Sequence, residues 1–270
     1  MTEPESGEMS FWDHLTELLQ RLKKVLYVFI VTILIVMVVP LSVDLANLDP
    51  SNFFYQTLAS TVINDFQSRF LPQETILIPF SFYAPLEIYI FISVIIGAVI
   101  GLPVAAYQIY GFLSPALHAH ERKFALQFTF VFIMLFSFGF ALGYFYIVPL
   151  TFQTMLTFTS LLELTPTYYF SEFFSMVGMI LLVSGLLFTF PIYIYLLVKA
   201  QLLKTQQLTQ NRKYMYGGLL ILIAVVDPDP SLVTELVTFI PIVVLMELSI
   251  LISKRIEKQA NSVENPDTTK

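Results

Sequence analysis

Residues 86–123 read LEIYIFISVIIGAVIGLPVAAYQIYGFLSPALHAHERK, and this stretch establishes how the 270-residue chain is built. Its first part, residues 86–108, is apolar and carries no charged side chain after Glu87. A helix of ~20 apolar residues crosses the hydrocarbon core of a bilayer, so this run predicts a transmembrane helix. The basic pair Arg122 and Lys123 follows the run, and this order predicts that the far end of the helix is cytoplasmic.

Five other apolar runs flank this one. They cover residues 24–43, 125–149, 174–198, 214–226 and 232–252. When all six runs are threaded through a membrane, thirteen of the fourteen Lys and Arg residues fall on one side, and only Arg69 falls on the other. This is the positive-inside pattern. It predicts an all-α membrane protein with six transmembrane helices and with both termini in the cytoplasm.

The composition excludes several classes of function. Hydrophobic residues make up 56% of the chain and charged residues 13%, whereas a soluble domain carries about 25% charged residues. The net charge of −6 says little by itself, because acidic and basic residues fall on different sides of the threading. The loops opposite to the basic side carry eight acidic residues against one Arg, and this balance argues against a nucleic-acid partner. There is no Cys, and the only His besides His118 and His120 is His14, so we predict no metal site. No nucleotide-binding or hydrolase motif is present, so we expect no cofactor and no enzymatic activity.

The chain is expected to form a single transmembrane domain with polar ends. Residues 1–9 are predicted to be a disordered tail, residues 10–255 the six-helix domain, and residues 256–270 a polar C-terminal tail. Within the domain, residues 10–22 predict an amphipathic helix at the cytoplasmic interface that runs into the first span. Its apolar residues recur at spacings of three and four: Phe11, Leu15, Leu18 and Leu22.

Two regions depart from a simple row of spanning helices. The fifth run is too short for the hydrocarbon core, so the last two runs form either a short spanning hairpin or a re-entrant one. The outer loop 44–85 predicts a surface helix, because apolar residues recur there every four positions. These residues are Phe54, Leu58, Val62, Phe66 and Phe70.

Charged residues within the runs are scarce. A proton or ion pump normally carries an acid or a His inside a span, so their scarcity argues against one. Glu247, near the end of the sixth run, is the clearest exception. An acid that lies at the interface or packs against another helix is the simpler interpretation of Glu247, and a functional acid is the other.

Two cytoplasmic acids, Glu17 and Glu121, allow two interpretations. Glu17 could simply pair with Arg21 four residues later on one helix face, and the basic residues that follow Glu121 could neutralise it. Alternatively, the two carboxylates form a site for a cationic ligand at the membrane surface. Arginine is the preferred ligand of such a site, because a carboxylate holds its planar fork through two hydrogen bonds.

The run from Leu102 to Lys123 resembles the TatC family, the receptor subunit of the twin-arginine protein translocase. The family pattern is roughly P-x-x-x-Y-Q-x-x-x-F-x-x-P-A-L-x-x-x-E-[RK]-[RK], and the chain matches it from Pro103 onward. The N-terminal segment from His14 to Leu18 similarly resembles the family's H-L-x-E-L. The resemblance covers about residues 10–255.

The resemblance implies a receptor for signal peptides that carry consecutive arginines. It implies that Glu17 and Glu121 contact the guanidinium groups. The same surface would include His14, Arg21, Gln108, Phe112, Pro115 and Leu117. It further implies TatA-type or TatB-type single-span partners, a homo-oligomer within a larger complex, lipid contacts, and transport driven by the proton motive force. The location implied is the cell membrane of a prokaryote.

The chain departs from the family pattern in the fourth span. Thr189 stands before Pro191, where the family usually has an acid that contacts the TatA-type partner. A threonine can hydrogen-bond across helices but supplies no charge. Thr189, Pro191 and Glu247 are the residues expected at the partner-docking surface. A secondary transporter or channel is the alternative function, although the acid that it would need deep within a span is missing.

Overall fold

A computed structural model describes residues 11–40, 57–72, 75–113, 122–199, 203–226 and 231–264. The helices are α1 (Phe11–Val38), α2 (Leu58–Phe70), α3 (Ala84–Leu113), α4 (Arg122–Leu142), α5 (Val148–Leu161), α6 (Phe170–Lys199), α7 (Thr205–Gln210), α8 (Arg212–Val226) and α9 (Leu232–Glu264). A π-helical turn, Gly143–Ile147, joins α4 to α5, and two short strands are β1 (Ile76–Ile78) and β2 (Thr167–Tyr169). The tail predicted over residues 1–9 lies outside the described residues.

Four helical segments are long and apolar enough to cross a membrane. They are Ala84–Phe112, Gln127–Leu161, Phe170–Lys199 and Leu232–Arg255. The structure is therefore that of a multi-pass membrane protein. Helix α1 is not among them because three basic residues in its first half shorten its uncharged stretch. Helix α8 is not among them because it has only 15 residues. The count of six spans and their orientation remain predictions.

Helix α1 joins the amphipathic N-terminal segment to the first apolar run without a break, as predicted. It packs along α3, where Phe29 and Ile33 contact the surface left open by Gly97. Much of its other apolar surface is exposed, including Leu26 and Leu34. Exposed apolar side chains are stable against lipid, so this face of α1 fits a membrane environment.

Helix α6 is the central helix of the bundle. In its most apolar 18-residue stretch 61% of the residues are buried, against 33% in the corresponding stretch of each of the other three segments. Its N-terminal half packs with α2, α3 and α5 around Phe173 and Phe174, and its C-terminal half packs with α4 and α9 around Phe188 and Ile192. Five helices, α2 to α5 and α9, thus contact α6.

Helices α4 and α6 approach closely through small residues. Gly139 on α4 and Gly143 at the start of the π turn face Ser184 on α6, and Gly185 on α6 faces Phe136 on α4. A Cβ added at Gly139 would lie 2.7 Å from the carbonyl oxygen of Ser184. Small residues are common where membrane helices pack backbone to backbone, because lipid offers no hydrophobic force to press larger side chains together.

The third predicted span is longer than expected and contains the π turn. Pro149 lacks an N–H and cannot donate to the carbonyl four residues earlier. The N–H of Val148 instead donates to the carbonyl of Gly143, five residues back, which is the π pattern. The chain then continues as α5 to Leu161, so Pro149 shifts the hydrogen-bond register where the prediction ended the span.

The connections before α3 and between α5 and α6 carry both a predicted and an unexpected element. The surface helix predicted in the outer loop is α2, which buries Phe66 and Phe70 as expected; Phe54 lies outside the described residues. The all-α prediction did not include β1 and β2, which pair in parallel with Ile76 opposite Thr167. These segments are rich in Ile, Thr and Tyr, residue types that favour extended structure, and their pairing is non-local.

Candidate functional site

The adjoining ends of α1 and α3 hold a carboxylate–guanidinium pair. Arg21 donates to Oε1 of Glu17 from Nε at 2.9 Å and from Nη2 at 2.6 Å. Its Nη1 also lies 3.5 Å from Oε1 of Gln108 on α3. Glu17 and Arg21 are one helical turn apart on α1, so the local pairing considered from the sequence is present, and Gln108 ties it to the second helix. We call Glu17, Arg21, Gln108 and Gly111 the Glu17 site.

One oxygen of Glu17 has no hydrogen-bond partner among the described residues. The two hydrogen bonds from Arg21 to Glu17 both reach Oε1, whereas Oε2 is buried and accepts none from this part of the chain. The Glu17 side chain as a whole is 22% exposed. A carboxylate can accept about four hydrogen bonds, and a buried carboxylate oxygen without one costs free energy. The Glu17 site therefore retains the capacity to accept a second cationic donor.

Gly111 makes room for the guanidinium of Arg21. A Cβ at position 111 would collide with Nη1 of Arg21, because this part of α3 lies directly against α1. Gly111 lies within the family-like run, but the sequence pattern indicates no role for it. The available signal was a glycine inside a helix, where it costs about 1 kcal/mol and therefore needs a reason.

The other predicted residues of this surface are only partly described. Phe112 is half-buried on α3, one turn beyond Gln108. The backbone of His14 belongs to α1, but its side chain is not described. The remaining residues lie outside the described part of the chain. They are Pro115, Leu117 and Glu121.

Thr189 lies inside the bundle. Its side chain is fully buried, and its hydroxyl donates to the carbonyl of Leu186 at 2.6 Å. This bond stays within α6, although a threonine can also hydrogen-bond across helices. Two residues later, the carbonyl of Pro191 accepts a hydrogen bond of 2.7 Å from the hydroxyl of Ser249 on α9. The Thr189 hydroxyl thus bonds within its own helix, and the region around Pro191 connects α6 to α9.

A groove of about 510 Å³ opens beside Pro191 between α4, α6 and α9. Its walls are mostly apolar, with Val131 and Leu135 on one side and Leu248 on the other. Lys199 lines the groove at the last turn of α6. Of the three residues expected at the docking surface, Pro191 is the one that borders this groove, which is large enough to receive side chains from another helix.

Glu247 joins the last two helices. Its Oε2 lies 3.1 Å from Nη2 of Arg212 at the start of α8, and its Oε1 accepts a hydrogen bond from the hydroxyl of Tyr216. The Arg212 and Glu247 side chains are each about one-third exposed, at 36% and 30%. The helix-packing interpretation of Glu247 therefore describes its position, with α8 held against α9 through this one carboxylate.

The fold and these contacts define a class of protein. It is a predominantly helical, multi-pass membrane protein with a carboxylate that holds a guanidinium where the ends of two helices adjoin. Its spanning helices are almost without charge.

The family follows from comparison with known proteins. The family described as Sec-independent protein translocase protein (TatC) matches residues 13–241, and the chain belongs to this family. TatCy of Bacillus subtilis is 29% identical over 99% of this chain and 97% of its own length. TatC of Listeria innocua is 33% identical over 71% of this chain and 78% of its own length. A crystal structure of the twin-arginine translocase receptor TatC superposes with a TM-score of 0.70, at 31% identity, over 89% of this chain and 98% of that chain.

Membership of this family fixes the broad function. The chain is a subunit of the Sec-independent protein translocase, the twin-arginine translocase receptor, and a non-enzymatic component of protein transport. The resemblance drawn from the run at Leu102–Lys123 is thus confirmed at the level of the family. The roles of individual residues are a separate question.

Proposed function

We propose that the Glu17 site, together with Glu121, binds the paired arginines of twin-arginine signal peptides. The observation that carries the proposal is the buried, unpartnered Oε2 of Glu17. Arg21 supports it from within the chain, because its guanidinium already occupies Oε1 of the same carboxylate. An incoming guanidinium would either bind the vacant oxygen beside Arg21 or replace Arg21.

The chemistry of such a site discriminates arginine from lysine. A guanidinium presents five N–H donors in a rigid plane, and these can satisfy Glu17 and Gln108 at the same time. A lysine ammonium is a compact charge that keeps its hydration more strongly. Near the membrane surface the lower dielectric strengthens the carboxylate interaction, so the loss of one well-placed hydrogen bond costs more than in water.

The proposed orientation places this site in the cytoplasm. It follows from the thirteen basic residues that fall on one side of a six-span threading. The short α8 would then be the fifth span and α9 the sixth, joined through Glu247 and Arg212. Within such a chain, residues 10–255 form the transmembrane domain and both termini are cytoplasmic. The membrane is the cell membrane of a prokaryote.

Partner subunits would dock beside Pro191. We propose that a TatA-type or TatB-type single-span helix packs into the groove of about 510 Å³. Thr189 would support this surface from inside α6, and Glu247 from the α8–α9 junction. In a complex assembled from several copies of the chain and its partners, the proton motive force would supply the energy, since the chain carries no nucleotide-binding motif.

The test is binding of a labelled twin-arginine signal peptide and its Lys-Lys variant to the detergent-purified protein. We expect a clear preference for Arg-Arg. In Glu17→Gln and in Glu121→Gln, loss of one charge-assisted hydrogen bond is expected to weaken binding about tenfold or more.

The matched control is Glu172→Gln. Glu172 is exposed in the first turn of α6, at the other end of the bundle, so this variant makes the same chemical change away from the site. Binding by the Glu172→Gln protein should equal that of the parent. Unchanged Arg-Arg preference in both Glu17→Gln and Glu121→Gln would refute the site assignment while leaving the family assignment intact.

A further inference from the structure

Arg69 is the one basic residue on the side of the six-span threading opposite to the other thirteen. It lies in the last turn of α2 and is exposed. Its guanidinium carbon lies 4.6 Å from the ring centre of Tyr144 and 5.0 Å from that of Phe145, both within cation–π range. These two rings belong to the π turn, so the turn between α4 and α5 provides the surface on which Arg69 rests.

Arg69 forms no ion pair within 4 Å with any carboxylate in the described part of the chain. Asp65 lies one turn earlier on α2, but its carboxylate accepts the hydrogen bond of the Tyr144 hydroxyl. The aromatic rings stabilise the cation through their faces, and the Tyr144 hydroxyl interacts with the guanidinium as well. A guanidinium has five N–H donors, so this contact leaves further donors at its edge.

A hollow of about 520 Å³ opens beside Arg69. It is lined by the end of α2 and by α5, which contributes the polar residues Gln153, Thr157 and Ser160 and the apolar residues Phe152 and Leu156. The volume lies within the range of roughly 300–1,000 Å³ that is usual for small-molecule sites. The lining of the hollow thus combines a cation, polar groups and apolar side chains.

The depth of the hollow in the bilayer follows from helix length. Tyr144 lies about 33 Å along the helix from Arg122, at 1.5 Å per residue. If Arg122 marks the cytoplasmic surface, as in the proposed orientation, Arg69 and Tyr144 lie close to the opposite interface, since the hydrocarbon core is ~30 Å thick. Phospholipid phosphates occupy this level.

We propose that Arg69 and the hollow beside it bind the phosphate of an anionic phospholipid of the outer leaflet. The guanidinium would hold two phosphate oxygens, the amide of Gln153 would donate to the headgroup, and the apolar side chains of the lining would contact the start of an acyl chain. The depth argument rests on the proposed orientation, but the phosphate site itself does not. It is also independent of signal-peptide binding at the Glu17 site.

The test uses a tryptophan reporter in the full-length chain. Trp12 is the only tryptophan and lies at the start of α1, so Trp12→Phe removes the background. Leu156→Trp then places the reporter in the hollow. The protein is reconstituted into vesicles of phosphatidylcholine mixed with phosphatidylglycerol that carries brominated acyl chains, and into vesicles in which the brominated lipid is phosphatidylcholine. Quenching of the tryptophan fluorescence by the brominated chains then shows which of the two lipids lies beside the reporter more often.

We expect the reporter to favour phosphatidylglycerol about fivefold, the effect of one interfacial cation on an anionic lipid. Arg69→Gln should abolish the preference. Arg69→Lys keeps the charge and should retain it, which separates loss of charge from loss of fold. The matched control is Arg255→Gln, an exposed arginine in α9 at the other end of the bundle, and it should leave the preference unchanged.

A second reporter position and a competition with inorganic phosphate show where the preference arises and which phosphate the site accepts. A reporter at Phe158→Trp, on the same helix but outside the hollow, should show no preference. Excess inorganic phosphate that weakens the preference would identify a site open to free phosphate, and no effect would identify the lipid headgroup as the source. Equal quenching by the two lipids at Leu156→Trp, or a preference that survives Arg69→Gln, would overturn the proposal.

Discussion

The contact between α4 and α6 at Gly139 can be tested by a single methyl group. In Gly139→Ala, the new Cβ would lie 2.6 Å from Cβ of Phe188 and 2.7 Å from the carbonyl oxygen of Ser184. Ordinary contacts begin near 3.4 Å, so the helices must separate locally by about 0.7 Å. The Ser184 oxygen belongs to the backbone and cannot rotate away. Overpacking of this kind costs about 1–3 kcal/mol.

Alanine also stabilises a helix relative to glycine, by about 0.5–1 kcal/mol, and this gain must be measured separately. The variant Gly217→Ala measures this gain alone, because a Cβ at Gly217 on α8 would meet no atom within 4 Å. We therefore expect Gly217→Ala to match or exceed the parent in stability. The Gly139→Ala protein should be less stable than the Gly217→Ala protein by about 1–3 kcal/mol.

The assay is thermal unfolding in one detergent, followed by circular dichroism. The unfolding midpoint is expected to differ between the two variants by roughly 2–4 °C for each kcal/mol. If Gly139→Ala unfolds at the same temperature as Gly217→Ala, the close approach of α4 and α6 is wrong. The same comparison would then also cast doubt on the central position of α6.

Two further predictions concern contacts between other helices. In Glu247→Gln the ion pair with Arg212 is lost and the hydrogen-bonded carboxylate becomes neutral, so we expect α8 to pack less tightly against α9. The expected result is a loss of about 1–2 kcal/mol in the free energy of unfolding and faster proteolysis in the connection before α8. Unchanged stability together with unchanged proteolysis would contradict this role. In Tyr89→Phe the hydroxyl that bonds Thr57 at 2.7 Å is lost, so we expect a loss of about 1 kcal/mol in thermal unfolding. Tyr146→Phe, which removes an exposed hydroxyl of the same kind, should unfold like the parent, and equal stability of the two variants would refute the assignment.

The elements predicted correctly from the sequence are those encoded by local periodicity. Helix α1 follows from the continuous pattern that begins with Leu15 and Leu18, and α2 follows from the four-residue spacing that ends at Phe66 and Phe70. In both cases the apolar face is contained within one helix, so the spacing alone indicates where that face lies. In α2 this face is buried in the protein, whereas Leu15, Leu18 and Leu22 of α1 are exposed. The spacing therefore does not show whether an apolar face meets protein or surroundings. The Glu17–Arg21 pair is local in the same sense, and the sequence indicated it.

The features that the sequence did not reveal depend on contacts between distant residues. Arg212 and Tyr216 reach Glu247 across two helices, and nothing in the local spacing indicates that they meet. The π turn was missed for a different reason. Pro149 predicts a bend, but whether the chain ends, kinks or shifts its hydrogen-bond register depends on how the neighbouring helix packs.

The Glu17 site illustrates both situations. Its acid and its arginine were named from the sequence, whereas the role of Gly111 depends on how closely α3 approaches α1. The unpartnered oxygen of Glu17 could not be predicted either, because it results from the two Arg21 donors that reach Glu17 both bonding to Oε1. The sequence thus indicates the chemical groups of the site but not the pattern of their hydrogen bonds.

The pairing of β1 with β2 has a consequence for the order in which the protein is assembled. Ile76 and Thr167 lie on opposite sides of α3, α4 and α5 in the chain, so the strands cannot meet until synthesis has passed Tyr169. Until then, the segment after α2 has no partner for its backbone groups at β1. Pairing of β1 with β2 is therefore a late step in biogenesis. It is completed only when the segment that leads into α6 has been synthesised and joins the connection before α3 to the connection before α6.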